Sequence, residues 1–332
     1  MGRPSPDRET VCALALAAAS APSMHNAQPW RFRYTVSRSA FHVHADFGRA
    51  MPHTDPHNRA LHLGCGAALL NARAAAGAAG LPVVTCVLPA PDDDPSLLAT
   101  VWFDGAAGFV EEDVALLEPV VRLRHTSREP FAERRLSPEV RDALIDAAAR
   151  EGTFLTFPAD WHLQWVLELA NEAATLNRSD PERLDDLARW TRIGVAATDT
   201  ATDGVPEYAF GPRKLGGRAP VRDFSGGVPV ADRGAAAFEE YPQVALLSTH
   251  GDRPRDWLRA GQAMERVLLV ATRLGLASSF VTEVLEWHDT RWPLRDPLSA
   301  AGSVQMVLRL GYGPQGPTTP RRAVADLLEI EP

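Results

Sequence analysis

The hydrophobic positions of this chain follow two periods, and each change of period marks a new element. Over residues 5–20 Val11, Leu14 and Ala18 share one helical face, Ser5 stands where a cap belongs and Pro6 fits the first turn. Beyond "APSMHNAQPWRF" (residues 21–32) the period drops to two. Phe32, Tyr34 and Val36 alternate with polar residues, Ser37 to Ser39 turn the chain, and Phe41, Val43 and Ala45 alternate again, which predicts a hairpin. His42 and His44 fall on its polar, solvated face. Residues 57–79 return to helical spacing, with Leu61, Cys65, Ala68, Leu69, Ala72, Ala76 and Ala79 forming a small-sided, deeply packed face. "GLPVVTCVLP" and "TVWFDG" read as strands.

The pattern restarts near residue 112. Val114 to Arg124 reads as helical and leads into "RHTSREPF". Ser137-Pro138-Glu139 opens a capped helix through Ala149, followed by the strand "TFLTF", a helix over about 160–177 and a shorter one ending near Trp190. Residues 256–275 mirror the helix at 57–79, and "VQMVLRL" at 304–310 is a strand. The two halves, 1–111 and 112–332, share the order helix, turn, strands, long helix, strand, which suggests an old duplication. Residues 191–235 differ: eight glycines and four prolines interrupt any sustained period. A segment of this length is either a cover over a site or a plain surface excursion.

Composition narrows the function classes. The chain has 332 residues, a formal net charge of −8 and 45% hydrophobic residues, the profile of a soluble globular protein that is not a general nucleic-acid binder. Cys12, Cys65 and Cys86 show no CxxC spacing, so reduced thiols in a cytoplasmic protein are expected. No run of about twenty apolar residues suggests a membrane span, and the alanine run at 13–19 lacks the flanks of a signal peptide. Lys214 is the only lysine and lies in "GPRKLGGRAP", which suits neither a P-loop nor Schiff-base chemistry. Anion binding therefore falls to arginine forks and backbone N–H groups.

Several motif readings fail. Gly64 and Gly66 lack a third glycine and lie inside a helix, so close helix packing explains them better than a dinucleotide fingerprint. His53 and His57 flank Asp55, but Pro56 breaks the spacing and a polar loop is the simpler reading; no metal site is expected. No G-x-S-x-G elbow exists, and no catalytic side chain is assigned. "RLRHTSREPF" places Arg122, Arg124, Thr126 and Arg128 within seven residues. Such a set converges on a phosphate or forms a solvated basic patch paired with Glu129 and Glu133.

Together these stretches resemble the nitroreductase family of flavoproteins, and in length and in the "HNxQPW" and "AGQA" stretches its Acg-like branch. The resemblance is carried by "APSMHNAQPWRF" at 21–32, "RHTSREPF" at 124–131 with Thr126 in place of serine, "LGLASS" at 274–279, "RLGYGP" at 309–314 and "PRR" at 320–322. It implies an α+β nitroreductase-like fold with antiparallel-rich mixed sheets flanked by helices, and bound FMN. An ordinary member has about two-thirds of this length and forms a dimer. Here the first half carries the "APS" element and the second the arginine element, so the resemblance implies a single-chain pseudo-dimer, monomeric, with one complete flavin site.

The resemblance also implies roles. Arg124, Thr126 and Arg128, with Arg321 or Arg322, would neutralise the flavin phosphate. Ser23, Asn26 and Gln28 would read the pyrimidine edge while Pro22 and Met24 pack on the ring. Ala277, Ser278 and Ser279 would approach the reactive nitrogen with backbone N–H groups, and Asn71 is a further candidate. The expected activity is hydride transfer from NAD(P)H to a nitroaromatic, quinone or similar acceptor, since the cofactor carries the chemistry. An FMN-storing protein closed by a lid at 191–235 is the other reading, and a flavin-free scaffold a third.

Overall fold

In the computed structural model, which describes residues 6–296 and 302–332, the first apolar face becomes helix α1 (Arg8–Ala19). Its cap is Asp7, whose carboxylate accepts from the Thr10 N–H at 2.9 Å; the expected cap, Ser5, lies outside the described residues. The hairpin forms as β1 (Trp30–Thr35) and β2 (Ala40–Ala45), with Phe32 opposite Val43 and Tyr34 opposite Phe41. Val36 leaves the predicted strand for a 3-10 turn that ends on left-handed Ser39, and its side chain is exposed.

His42 and His44 depart from expectation in being half-buried. His42 lies 3.3 Å from Thr35 Oγ1 and 3.0 Å from Thr100 Oγ1, because strands pair on both edges of β2. Burial, helped by His44, Arg33 and Arg38, lowers the His42 imidazole to about 4, so it is neutral at pH 7.

Helix α2 (Arg59–Ala78) is buried along most of its length, as its small residues require, and β3 (Val84–Val87) and β4 (Leu97–Trp102) follow. The predicted helix from Val114 to Arg124 is instead two single turns, α3 (Glu112–Ala115) and α4 (Glu118–Val121). Pro119 has no N–H to continue the hydrogen bonding of α3, so the chain breaks there. α5 (Pro138–Arg150) carries its Ser137 cap, followed by β5 (Phe154–Thr156), α6 (Asp160–Ser179) and α7 (Pro181–Arg189). Residues 191–235 are irregular except for β6 (Thr191–Arg192), α8 (Val195–Asp199), β7 (Val205–Pro206), β8 (Arg213–Gly216) and a few 3-10 residues. β9 (Ala235–Ala237), β10 (Gln243–Thr249), α9 (Pro254–Arg273), β11 (Ala277–Phe280) and α10 (His288–Arg291) come next. β12 (Ser303–Gly311), α11 (Val324–Leu327) and β13 (Leu328–Glu331) end the chain.

Two sheets result. One runs β13-β1-β2-β4-β3, antiparallel except that β13 lies parallel to β1; the other, β11-β12-β10-β5, is wholly antiparallel. The last strand thus completes the sheet of the first half, and one hydrophobic core, including Trp30, Leu69, Leu268 and Leu308, runs through both halves. Between them α2 and α9 cross at glycine. A Cβ on Gly66 would stand 2.2 Å from the Leu258 carbonyl oxygen, and one on Gly261 would stand 2.1 Å from that of Leu63. Close helix approach, as the sequence suggested, is what these glycines serve. Among the described residues no helix is long and apolar enough to cross a membrane.

Candidate functional site

The turn after α1 stores backbone strain. His25, Asn26 and Gln28 all have positive φ (48°, 56° and 50°), a conformation that non-glycine residues keep only where their surroundings impose it. The turn's own polar groups impose it. Ser23 Oγ accepts from the Gln28 N–H at 2.8 Å. Asn26 donates to the carbonyls of Gly204 and Pro320, both at 2.9 Å, and its oxygen accepts from Arg321. Gln28 donates to the Thr202 carbonyl and accepts from the Arg322 N–H, each at 2.9 Å. Three segments distant in sequence are tied together here: the turn, residues 202–204 and residues 320–322.

Beside this knot lies a cleft of about 1200 Å³, counting the part open to solvent. The turn gives it Pro22, Ser23, Met24 and Asn26; the arginine element gives Arg124, Thr126 and Arg128; Ser279 and Arg321 come from farther along. These predicted residues converge. The other predicted residues do not line the cleft. Gln28 and Arg322 hold the knot. Ser278 pairs with Thr126 in a β-bridge and its carbonyl accepts from the Ser127 N–H at 2.8 Å, so with Ala277 it builds the edge on which the arginine element rests. Asn71 is fully buried behind the cleft, next to Glu265.

The arginine element is held from beneath. Arg309, buried on β12, forms a two-pronged ion pair with Glu239 at 2.5 and 2.8 Å and donates to the Glu129 carbonyl at 2.9 Å. That anchor fixes the loop from which Arg124 and Arg128 reach the cleft.

At one end of the cleft two arginines keep buried N–H groups that make no hydrogen bond, although the Glu265 carboxylate lies 3.4 Å from Arg124 Nε. Arg124 donates from Nη2 to the Ser20 carbonyl at 3.3 Å, but its Nε and Nη1 make no hydrogen bond. Arg321 bonds through Nη1 to Asn26 and Thr319 while its Nε stays unbonded. Burial, then the neighbouring Arg124, pulls Arg321 down to about 9. A guanidinium keeps its proton under such pressure, so the arrangement favours an incoming anion.

Farther along, Arg128 lies over the Phe224 ring at 4.6 Å and donates to the Ala209 carbonyl at 2.9 Å. Arg222 bonds to Glu286 at 2.5 Å and Thr282 at 3.2 Å. His25 meets Phe224 edge-on at 5.6 Å. Burial, with Arg222 and Arg128 beside it, holds His25 well below its ordinary value, hence neutral. Residues 191–235 supply Val205, Val221, Arg222 and Phe224 to the wall of the cleft.

His25, Arg59, Arg222 and Phe224 also line the cleft and are not among the expected site residues. His25 lies within the recognised "APSMHNAQPWRF" stretch and was legible there. Arg222 and Phe224 sit in a segment without period, where only the fold shows which side chains turn inward. His53 and Asp55 serve the loop: His53 Nδ1 is 3.2 Å from Glu182 Oε2, and Asp55 accepts from the Leu61 N–H at 3.0 Å.

Residues 121–312 match the model of the Nitroreductase family. In Mycobacterium tuberculosis H37Rv, a protein named "Putative NAD(P)H nitroreductase Rv3131" is 34% identical, the match covering 98% of this chain and 92% of that one. "Putative NAD(P)H nitroreductase acg" of the same strain is 30% identical over 94% of this chain and 93% of its own length. Among solved structures, one from Anabaena variabilis described as a nitroreductase aligns with a TM-score of 0.47 at 12% identity, over 94% of this chain and 90% of that one. A family match over more than half of the chain, with relatives at this identity along nearly all of it, leads to one assignment: the chain belongs to the nitroreductase family.

Proposed function

We propose that this protein is an FMN-dependent oxidoreductase that moves a hydride from NAD(P)H to a nitroaromatic, quinone or similar acceptor. The carrying observation is the pair Arg124 and Arg321, whose buried N–H groups make no hydrogen bond, at the end of a cleft that also presents Pro22, Met24, Leu63 and Met264. A phosphate dianion joined to a flat apolar ring fits that donor set. Bound FMN supplies the two-electron transfer between nicotinamide and acceptor.

The chain's own residues bind and orient. Arg124 and Arg321 neutralise the phosphate, with Thr126 beside them. Pro22 and Met24 pack against the ring, and Ser279 borders it. Arg128 lies farther along the cleft, toward the ring rather than the phosphate. We read the halves 1–111 and 112–332 as a pseudo-dimer within one chain, working as a monomer. The α2–α9 crossing at Gly66 and Gly261 supports this, as does a cleft whose walls come from both halves.

A second reading, FMN held under a closed lid with little turnover, is favoured by how firmly residues 202–224 are tied down. Asp203 accepts from both Arg49 and Arg192, and Phe224 is wedged between Arg128 and Phe210. An anaerobic NADPH titration of FMN-loaded protein, followed in the visible bands, separates the two. Bleaching that reverses on adding a quinone or nitroaromatic supports the oxidoreductase. Bands that persist against NADPH yet bleach with dithionite overturn it in favour of storage. Shortening residues 205–226 should then restore reduction.

A further inference from the structure

The polar side chains expected to read a flavin's pyrimidine edge are bound to protein, yet one residue of the strained turn lines the cleft with a ring nitrogen that makes no hydrogen bond. His25 is buried, lines the cleft, and has an Nε2 with no hydrogen-bond partner. Its backbone is held at φ 48°. Two guanidinium groups share its surroundings. Arg128 Cζ lies 4.6 Å and Arg222 Cζ 5.8 Å from the centroid of the Phe224 ring, which His25 meets edge-on at 5.6 Å. Arg222 Nε also lacks a hydrogen bond.

A neutral imidazole offers one lone pair, and two adjacent cations disfavour its protonation. In the tautomer protonated at Nδ1 that lone pair sits on Nε2. Around one aromatic ring the protein therefore gathers one acceptor and two strong donors. A cyclic imide presents the complement: an N–H flanked by two carbonyl oxygens. We infer that His25, Arg128 and Arg222 read the imide edge of the bound ring, His25 Nε2 accepting the imide N–H and the arginines donating to the flanking carbonyls. The inference rests on the flavin reading above, since an isoalloxazine carries such an imide. It assigns edge recognition to a residue of the turn other than Ser23, Asn26 and Gln28.

The test compares FMN with 3-methyl-FMN, which keeps the phosphate and replaces the imide N–H with a methyl group. Dissociation constants come from quenching of flavin fluorescence, in the unsubstituted protein and in His25→Asn and His25→Gln. Asparagine tolerates left-handed backbone but is too short to reach; glutamine extends an acceptor, and Gln28 already occupies such a conformation in this turn. The unsubstituted protein should favour FMN by roughly tenfold or more. His25→Asn should lose most of that preference and His25→Gln regain it.

Equal affinities in the unsubstituted protein, or full preference kept by His25→Asn, would overturn the inference while leaving the cofactor reading intact. Failure to bind FMN at all would instead sink the cofactor reading. If neither variant folds, 15N spectra of the histidine side chains decide. His25 Nε2 should shift with FMN and not with 3-methyl-FMN, and no shift with FMN overturns the contact.

Discussion

Glu265 Oε1 lies 3.4 Å from Arg124 Nε, both groups almost wholly buried, and neither carboxylate oxygen has a hydrogen-bond partner. Burial raises the Glu265 carboxyl above its ordinary 4.5, outweighing Arg124, Asn71 and Arg321, which act to lower it. Between that ordinary value and the raised one, the folded protein holds a proton the unfolded chain has released. Stability therefore falls as pH rises through this window. Glu265→Gln should lessen the fall, gaining on the unsubstituted protein as pH rises and losing its advantage near pH 4.5. Urea midpoints of both proteins at pH 5 and pH 8 measure it; parallel changes would show that Glu265 does not titrate there.

Arg124 lines the cleft while its Nε lies beside the buried Glu265, so removing Arg124 acts on ligand binding first. Arg124→Ala should weaken FMN binding by about 3 kcal/mol, over a hundredfold, because it deletes a buried charge-assisted donor. Arg128→Ala should also weaken FMN. If Arg128 serves the ring and not the phosphate, it should weaken riboflavin, which lacks the phosphate, by a similar factor. Arg124→Ala should leave riboflavin binding nearly unchanged. Fluorescence titrations with both flavins settle each case, and equal losses of riboflavin in the two variants would remove the division of labour.

How legible this was depends on the range of the interactions. The hairpin, the two long helices and their glycines were readable because period and side-chain size are local properties. The break at Pro119 and the 3-10 turn at Val36 were overlooked for a local reason too: hydrophobic spacing outvoted proline and turn chemistry. The convergence of Arg124, Arg321 and the turn could be anticipated only through a family resemblance, since nothing local links residues so far apart in the chain. Gln28 and Arg322 have the right chemistry for a ligand, but they bond to protein, and Asn71 is buried in the interior. Sequence reveals a polar side chain's capacity; its partner is chosen by the fold. Arg222 and Phe224 show the same limit from the other side, in a segment whose period says nothing about what faces inward.

The α2–α9 crossing gives a prediction about stability alone. A methyl group on Gly261 would stand 2.1 Å from the Leu63 carbonyl oxygen, and backbone in a helix cannot give way as a side-chain end can. Gly261→Ala should cost about 3 kcal/mol, despite the better helix propensity of alanine. Gly80, with nothing within 4 Å of an added Cβ, is the control, though its φ of 67° costs a smaller amount through backbone strain. Urea unfolding of both variants should rank Gly261→Ala as clearly the more damaging, and the reverse order would mean that the helices can move apart.

Asp203 joins residues 191–235 to the rest of the protein through Arg49, which precedes α2, while also bonding Arg192. Burial pushes its carboxyl up, but hydrogen bonds from Arg192 and Arg49 and their charges prevail and leave it below its ordinary 3.8. A depressed carboxyl contributes stability above its unfolded value and loses it as pH falls through the folded one. The tie should therefore persist from pH 8 down to about 4 and weaken only below. Asp203→Asn removes the charge at every pH and leaves Arg49 and Arg192 facing each other without it. FMN dissociation at pH 7 should speed up by roughly tenfold, and limited proteolysis should cut within 191–235 sooner. Measured by stopped-flow release of flavin fluorescence, an unchanged rate would mean the segment opens elsewhere, with the Arg222–Glu286 pair the next tie to break.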